Sequence, residues 1–592
     1  MILQALVKYY EMMAAEDKLP KQGYCTGKVS YALELSGEGE LCGITTLRLP
    51  VEHGKKKGDA AQLLEVPEQE SRSVNILPFF LCDNAIYLLG LDTKGNPKRA
   101  LQCFEASKKL HREILSGVDH PAARAILAFF DRWDPAAAAE NRYVKDHLAG
   151  LTAGGNLIFQ ADDQYAQGIP ALREAWEAYC AAQEQGVELP CLVTGARQPI
   201  AILHGKIRGV KDAQSVGANL DSFSYSSYEY DGRKKAQELN APVGKYAAFA
   251  YVTALNALLA NSEHRLIISD TTVVFWAESA NPDFQILFNA AMNPKEDNQK
   301  MLCAILEKIS RGLPPKEGVN PETPFYILGL APNAARLSVR FFLQDSFGNF
   351  LKHIQQHYSD MEIEKAPYEF PYLSPYWLLR ETVNPNAKDK SGSHLLSGAV
   401  MRSILTGAPY PQALMNAVML RIHAEQDDSE RHIKKITRGR AAIIKGYLIR
   451  RHRGEEEYKE VLQVSINEES KNKAYVLGRL FAILEKAQLE AYPNINTTIK
   501  DRYFTSACAT PGSVFPTLIK LSRHHIRVIK DIKLKCYLDN QIKDLIDKLD
   551  VADTPFPAHF SLEDQGSFVL GYYQQTQKRY MKKSDSDVKE EA

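Results

Sequence analysis

TGARQPIAILHGKIRGVKDAQSVGAN, residues 194–219, and DTTVVFW, residues 270–276, are the stretches from which the fold is read. In the first, Gly195, Gly205, Gly209 and Gly217 alternate with Arg197, Lys206, Arg208 and Lys211, then with the amides Gln214 and Asn219. Glycine lets a backbone approach a bulky polyanion, cations neutralise phosphates, and amide or hydroxyl side chains such as Gln214, Ser215 and Asn219 contact base edges. The block contains no carboxylate pair, Cys/His pair or metal-ligand cluster. It points to nucleic acid and away from a catalytic centre. The second stretch follows a helix-like run, Ala247 to Leu259, and reads as a strand leaving a turn, so the basic loop is expected on an α/β scaffold.

Working outward, 592 residues exceed one ordinary core, and two to four domains are expected. Because 72 Lys+Arg balance 72 Asp+Glu, any nucleic-acid surface must come from local sorting of charge. The nine cysteines are scattered, odd in number and free of a Cys-x-x-Cys spacing, which suits a reducing cytosol. No signal-peptide layout opens the chain, and the most apolar run, Tyr246 to Ala260, is too short for a bilayer. A soluble cytoplasmic protein is expected, with no membrane partner, metal or cofactor.

The predicted fold class is α+β: a mixed α/β N-terminal region with an antiparallel sheet (1–383, with a possible sub-boundary near 120), a linker at 384–394, an all-α helical bundle at 395–580, and a charged tail at 581–592. A helix is expected from Ile2 to Ala15, strands from Lys28 to Leu35 and Cys42 to Leu49, and Ala-rich helices at Pro121 to Trp133 and Ala171 to Gln185. Lys55, Lys56, Lys57 and Arg72 fall in a polar loop that is either solvated or a phosphate clamp. The Ser222 to Tyr230 segment is either base-stacking and phosphate-binding or an ordinary strand and turn. Arg336 and Arg340 stand at helical i, i+4 spacing and read as backbone contacts or as tertiary ion pairs.

Asn384 to Ser393 is polar, aperiodic and Pro/Gly-bearing, which makes it the main expected boundary. Beyond it lie the apolar stripes Leu477/Leu480/Phe481/Leu484 and Leu538/Ile542/Leu545/Ile546/Leu549, and a capping box from Ser561 to Asp564. Between Arg431 and Arg453 there are nine Lys or Arg and no Asp or Glu. Lys434, Arg438 and Lys445 are expected on a shared outer face there, as a solvated face or a nucleic-acid groove. A second basic helix is read from Lys520 to Lys535, with Lys520, Arg523 and Arg527 as contacts. Its His524-His525 pair points about 100° apart and suits packing or phosphate better than a metal.

Motifs for nucleotide hydrolysis, zinc peptidases, serine hydrolases and nucleases are missing. Asp270 is the strongest lone carboxylate, and it reads first as a turn cap. A metal-dependent nuclease or RNA-processing enzyme with a scattered site is the alternative to a binding module, and a purely structural scaffold is the third reading.

The opening Met1 to Leu6, the 194–219 block, Leu328 to Arg340 and the ending Gln565 to Gln575 together resemble the large subunit of the type I-C CRISPR Cascade surveillance complex, the Csd-type large subunit. The landmarks keep the family's order over nearly the whole chain. The resemblance implies a non-catalytic subunit at the crRNA 5′-handle end, beside the backbone and handle-binding subunits. It further implies recognition of the protospacer-adjacent motif (PAM) in double-stranded DNA, help in opening the duplex, a place for the displaced strand, and a docking surface for the recruited helicase-nuclease. It also implies a small subunit made from the C-terminal part by internal translation. As no methionine lies between Met419 and Met581, that start falls on a non-AUG codon, at Val461, Val464 or Val476.

Overall fold

The computed structural model describes residues 1–578 except 54–55, 70–71, 73–74, 93–94, 184–185, 223–238, 240, 389, 391 and 550–553, with backbone only at 51–53 and 56–58. The chain forms two compact units: Met1–Arg208 with Val216–Ala257, and Gly209–Ser215 with Leu258–Ala592. The 194–219 block therefore leaves the first unit at Gly209 and returns to it at Val216. The polar segment 384–394 lies inside the second unit rather than between units, because one apolar core runs from Leu266 to Tyr573 on both sides of it.

The first unit opens with the expected helix Ile2–Ala15. Strands β1 (Tyr24–Leu35), β2 (Leu41–Thr46), β3 (Arg48–His53), β4 (Lys56–Pro67), β5 (Cys82–Asn84), β6 (Asn156–Ala161) and β7 (Gln164–Tyr165) form a sheet in the order β3-β4-β1-β6-β5, with β2 on β1 and β7 on β6. All pairings are antiparallel except β1 with β6. Tyr31, Leu33 and Leu35 face one core, while Ala32 faces another together with Val29. Strict alternation would put Val29 with Tyr31; the register shift between them changes the parity.

Helices Pro97–Leu115 and Pro121–Arg132 cover the Leu33 face through Phe104, Phe129 and Phe130. Each starts with proline in its first turn, where the missing N–H is no loss, behind a side-chain cap from Asn96 or His120. His111 is buried in this core. It accepts from the Leu81 amide at Nε2 (3.0 Å), holds the Ser107 carbonyl from Nδ1 (2.8 Å), and is pushed down to about 4 by burial. A small hairpin, β8 (Glu188–Pro190) with β9 (Arg197–Pro199), completes the strands of this unit.

In the second unit β10 (Arg265–Ile268), β11 (Thr271–Ala277), β12 (Pro324–Asn333) and β13 (Arg336–Ser346) make an antiparallel sheet in sequence order. Helices Asp283–Met292 and Phe347–Met361 pack on the face that carries Phe275, Phe325 and Ile327. Arg336 and Arg340 thus lie on a strand rather than a helix; residues four apart share a face in both, so spacing alone does not separate the two.

The rest of this unit is helical. Helix Lys473–Ala491 is buried nearly all round, and it crosses helix Leu562–Gln577 where Gly478 faces the Phe568 carbonyl and Gly571 faces the Tyr475 carbonyl. Neither position has room for a Cβ, which is why the closing landmark carries a glycine. Its other residues form a buried polar network. Tyr475 and Gln574 are bonded, Arg479 Nε donates to Gln575 (3.0 Å), Tyr573 donates to the Glu364 carbonyl (2.9 Å) and Tyr572 to Glu485 (2.5 Å). The Ser561/Asp564 capping box is formed.

Candidate nucleic-acid interface

Within the first unit the basic block folds back on itself. Ile207 and Ala218 exchange both backbone hydrogen bonds at 2.9 Å. Asn256, on helix Lys245–Ala260, accepts from the Arg208 amide (2.8 Å) and donates to the Lys206 carbonyl (3.0 Å). Gly217, at φ +96°, packs where a Cβ would meet Lys206 and the Ile207 carbonyl. Gly195, at φ +75°, closes a knuckle in which Cys191 Sγ accepts from the Val193, Thr194 and Gly244 amides (3.3, 3.5 and 3.2 Å). These donors hold the thiol below its ordinary value against the opposing effect of burial. The glycines thus serve the loop's own folding, a use the sequence did not separate from approach to a polyanion. Arg208 is exposed, while Lys206 and Asn219 are half-buried.

In the second unit, residues 209–215 present Gln214 and Ser215 to solvent. Lys211 is turned inward: its ammonium donates to the Ser269 carbonyl (2.8 Å) and its amide to Thr272 Oγ1 (2.9 Å). Asp270 lies in the β10–β11 turn, where side chains rather than the turn's backbone amides hold its carboxylate. It meets Arg340 (3.1 Å) and His394 (3.3 Å) and accepts from Thr271 Oγ1 (3.0 Å). Of the two readings of Arg340, the tertiary ion pair is the one formed.

The 431–453 run departs furthest from expectation. Lys434 is exposed, but Arg438 is half-buried with its guanidinium on the Phe370 and Pro371 carbonyls. Lys445 is buried against the Asp360 carbonyl (3.3 Å), and burial pushes its ammonium down to about 8. Arg450 is buried on Asp360 (2.6 Å), Arg440 meets Glu381 (3.4 Å), Arg451 meets Glu563 (3.3 Å), and Lys435 donates to the Ile422 carbonyl (2.8 Å). The expected shared outer face of Lys434, Arg438 and Lys445 is therefore not formed. Acids remote in sequence pair with Arg440, Arg450 and Arg451, and carbonyls accept from Lys435, Arg438 and Lys445, in a run that looks unopposed when read linearly.

Arg72 is likewise internal. Its guanidinium lies between the Phe79 and Tyr87 rings (3.6 and 3.9 Å) and grips the fully buried Asp83, with Nη1 to Oδ1 at 2.7 Å, so it is not placed to clamp a phosphate. Lys56 and Lys57 open β4, paired with His53 and Glu52, instead of lying in a loop. Their side chains, Lys55, and residues 223–230 of the Ser/Tyr segment lie outside the described residues.

Lys520, Arg523 and Arg527 stay exposed on helix Pro511–Val528, at a spacing that puts them along one side. The expected single helix to Lys535 is two: the first ends at Val528, and Asp531 caps the next, Ile532–Asp547. His524 is exposed, accepts or donates to Tyr492 Oη (2.8 Å), and has its ring nearly parallel to that tyrosine. His525 turns inward and is lowered by burial. Tyr492, which is exposed, was missed in the sequence; a tyrosine at a helix end carries no periodic mark. Among the described residues no three His, Cys, Asp or Glu side chains gather to hold a metal, and no helix is long and apolar enough to cross a membrane.

These features define an α+β chain of two units in which, among the cations singled out in the sequence, Arg208 on the folded-back loop, Lys434, and Lys520, Arg523 and Arg527 on one helix are exposed. The chain belongs to the CRISPR-associated protein family Cas_Csd1, which it matches over residues 6–580. That match supports the resemblance to the Csd-type large subunit and to a Cascade-associated role. No curated protein matches the chain.

Proposed function

We propose that this protein is the non-catalytic, cytoplasmic large subunit of a type I-C Cascade. In this reading it recognises the PAM in double-stranded DNA, promotes duplex opening and R-loop formation, and supports recruitment of the helicase-nuclease. Its partners are the crRNA, the target duplex with its displaced strand, the backbone and handle-binding subunits, and a small subunit translated from its own C-terminal part. Family membership supports the complex. The observation that carries the DNA role is the solvent-facing Gln214-Ser215 pair on a loop anchored through the Lys211 amide and ammonium.

Physically, guide pairing supplies most of the specificity, and exchanging duplex for heteroduplex is nearly balanced in energy. A subunit that reads a few base pairs and supplies a small opening contribution then decides the outcome. Gln214 and Ser215 are assigned to base edges, Arg208 and Lys206 to phosphates, and Lys520, Arg523 and Arg527 to the displaced strand.

Gel shifts of the assembled complex on PAM-matched and PAM-mutated duplexes test this. Gln214→Ala is expected to reduce discrimination by about tenfold, the scale of one lost bidentate base contact of 1–3 kcal/mol. Unchanged discrimination would remove Gln214 from base reading. Sustained cleavage by the purified chain with Mg²⁺, lost in Asp270→Asn, would replace the non-catalytic reading with the nuclease one.

A further inference from the structure

Lys211 sits among the cations expected to meet phosphate, yet every polar contact it makes is internal. Its ammonium lies 2.8 Å from the Ser269 carbonyl, and its amide donates to the buried Thr272 hydroxyl at 2.9 Å. Ser269 occupies the two-residue β10–β11 turn at φ +59°, a left-handed conformation that a serine adopts only when its surroundings hold it there. Four contacts do so. Ser269 Oγ donates to the Gly392 carbonyl (2.8 Å) and lies 3.1 Å from His394 Nδ1, while Asp270 meets both Arg340 and His394.

Three segments far apart in sequence thus close on the β10–β11 turn: the 209–215 loop, β13 and the chain from Gly392 into helix His394–Thr406. Sequence distance hid this, since Lys211 and His394 look unrelated along the chain.

We propose that Lys211 is a positioning residue, and that Ser269, Asp270, Arg340 and His394 form a clasp setting the stance of the loop that carries Gln214 and Ser215. The value of this to DNA reading rests on the base-contact role given above to those two residues; the clasp itself does not. The loop follows the hairpin because its lysine is anchored on the turn's carbonyl. The hairpin in turn follows residues 392–394, so anything that grips that segment shifts the loop. A half-buried ammonium held by a carbonyl is a poor phosphate ligand, because binding phosphate would require leaving that carbonyl.

The test uses the full-length chain and has two arms. In hydrogen exchange, Lys211→Met, Ser269→Gly and His394→Ala are each expected to speed amide exchange across 209–215 by about tenfold or more, the range of local opening. In the assembled complex, Lys211→Met is expected to keep the wild-type dependence of log K on log salt for a PAM duplex. Arg208→Ala, which removes an exposed cation, should flatten that slope by about 0.9. Unchanged exchange in Lys211→Met and His394→Ala overturns the clasp. A slope flattened by about 0.9 in Lys211→Met makes it a phosphate contact and overturns its positioning role. A wild-type complex that fails to discriminate PAM duplexes sinks base reading instead, and the exchange arm still decides the clasp.

Discussion

Substituting alanine at Gly478 or Gly571 should be among the most damaging single-methyl changes this chain can suffer. A Cβ at 478 would stand 1.9 Å from the Phe568 carbonyl oxygen, and one at 571 would stand 2.1 Å from the Tyr475 carbonyl oxygen. Carbon and oxygen in ordinary contact need about 3.4 Å or more, so the two helices must part by roughly 1.3–1.5 Å. Both obstacles are backbone atoms, and no rotamer change can relieve them. The separation would loosen the Phe481/Phe504/Phe568/Tyr572 aromatic cluster and stretch the bonds from Tyr475 and Arg479 to Gln574 and Gln575. Overpacking alone costs about 1–3 kcal/mol. With the aromatic packing weakened as well, about 3 kcal/mol or more is expected, roughly 4 °C in Tm for a unit of this size. Gly398, inside helix His394–Thr406, is the control, because a Cβ there meets nothing within 4 Å. Gly398→Ala should stabilise by about 0.5–1 kcal/mol through helix propensity. Scanning calorimetry and urea unfolding of the three variants decide the matter. If Gly478→Ala and Gly571→Ala melt within a degree of wild type, the helix crossing described here is wrong.

Arg72→Ala strands the buried Asp83 carboxylate, so it should destabilise the first unit by about 3–5 kcal/mol in chemical denaturation while leaving the salt dependence of DNA binding untouched. Burial places His111 at about 4 in the folded chain, below its unfolded value near 6.5, so the unfolded state takes up the proton first as pH falls. The stability this contributes is complete above about pH 6.5 and declines toward pH 4; between pH 7 and 5 the first unit should lose about 2 kcal/mol, and His111→Gln should remove that dependence in a pH series of melting curves. The small subunit should begin at Val461 or Val464 rather than Val476. A start at 476 deletes Tyr475, whose hydroxyl is bonded to Gln574, whereas a start at 461 keeps both Tyr475 and the Gln463 carbonyl that holds Gln574 (2.7 Å), and one at 464 keeps Tyr475. Intact-mass measurement of the purified complex should show a fragment of about a fifth of the chain, and a start at 476 would contradict the packing argument.

Helices were the most legible feature of the sequence, because an apolar stripe such as Leu477/Leu480/Phe481/Leu484 and a Ser561/Asp564 box are local marks with one structural meaning. The β12–β13 hairpin was not legible in the same way. Arg336 and Arg340 fall on one face under either period, and the turn at Ala334 adopts φ +52° without a glycine to announce it. Charge was the least legible. The Arg431 to Arg453 run carries no acid of its own, yet Asp360, Glu381 and Glu563 reach it from elsewhere in the fold, and Arg72 finds Asp83 across a bend. A buried ion pair leaves no trace in sequence when its partners are far apart. Lys520, Arg523 and Arg527 lie exposed along one side of their helix, because the i, i+3, i+7 spacing of a single helix settles which side they take. The segment 384–394 looked like a divider by composition, but the Ser269 and His394 contacts fasten its far end into the second unit.

The central claim is that exposed cations of this chain grip nucleic acid, and the salt dependence of single-strand binding tests it most directly. Each phosphate contact to a single strand contributes about 0.7 to the slope of log K against log salt. The triple variant K520A/R523A/R527A in the assembled complex should therefore lose about 2 from that slope and bind the displaced strand roughly 50-fold more weakly near 0.15 M salt. A wild-type slope near zero, or a triple variant whose slope and affinity match wild type, would contradict the account.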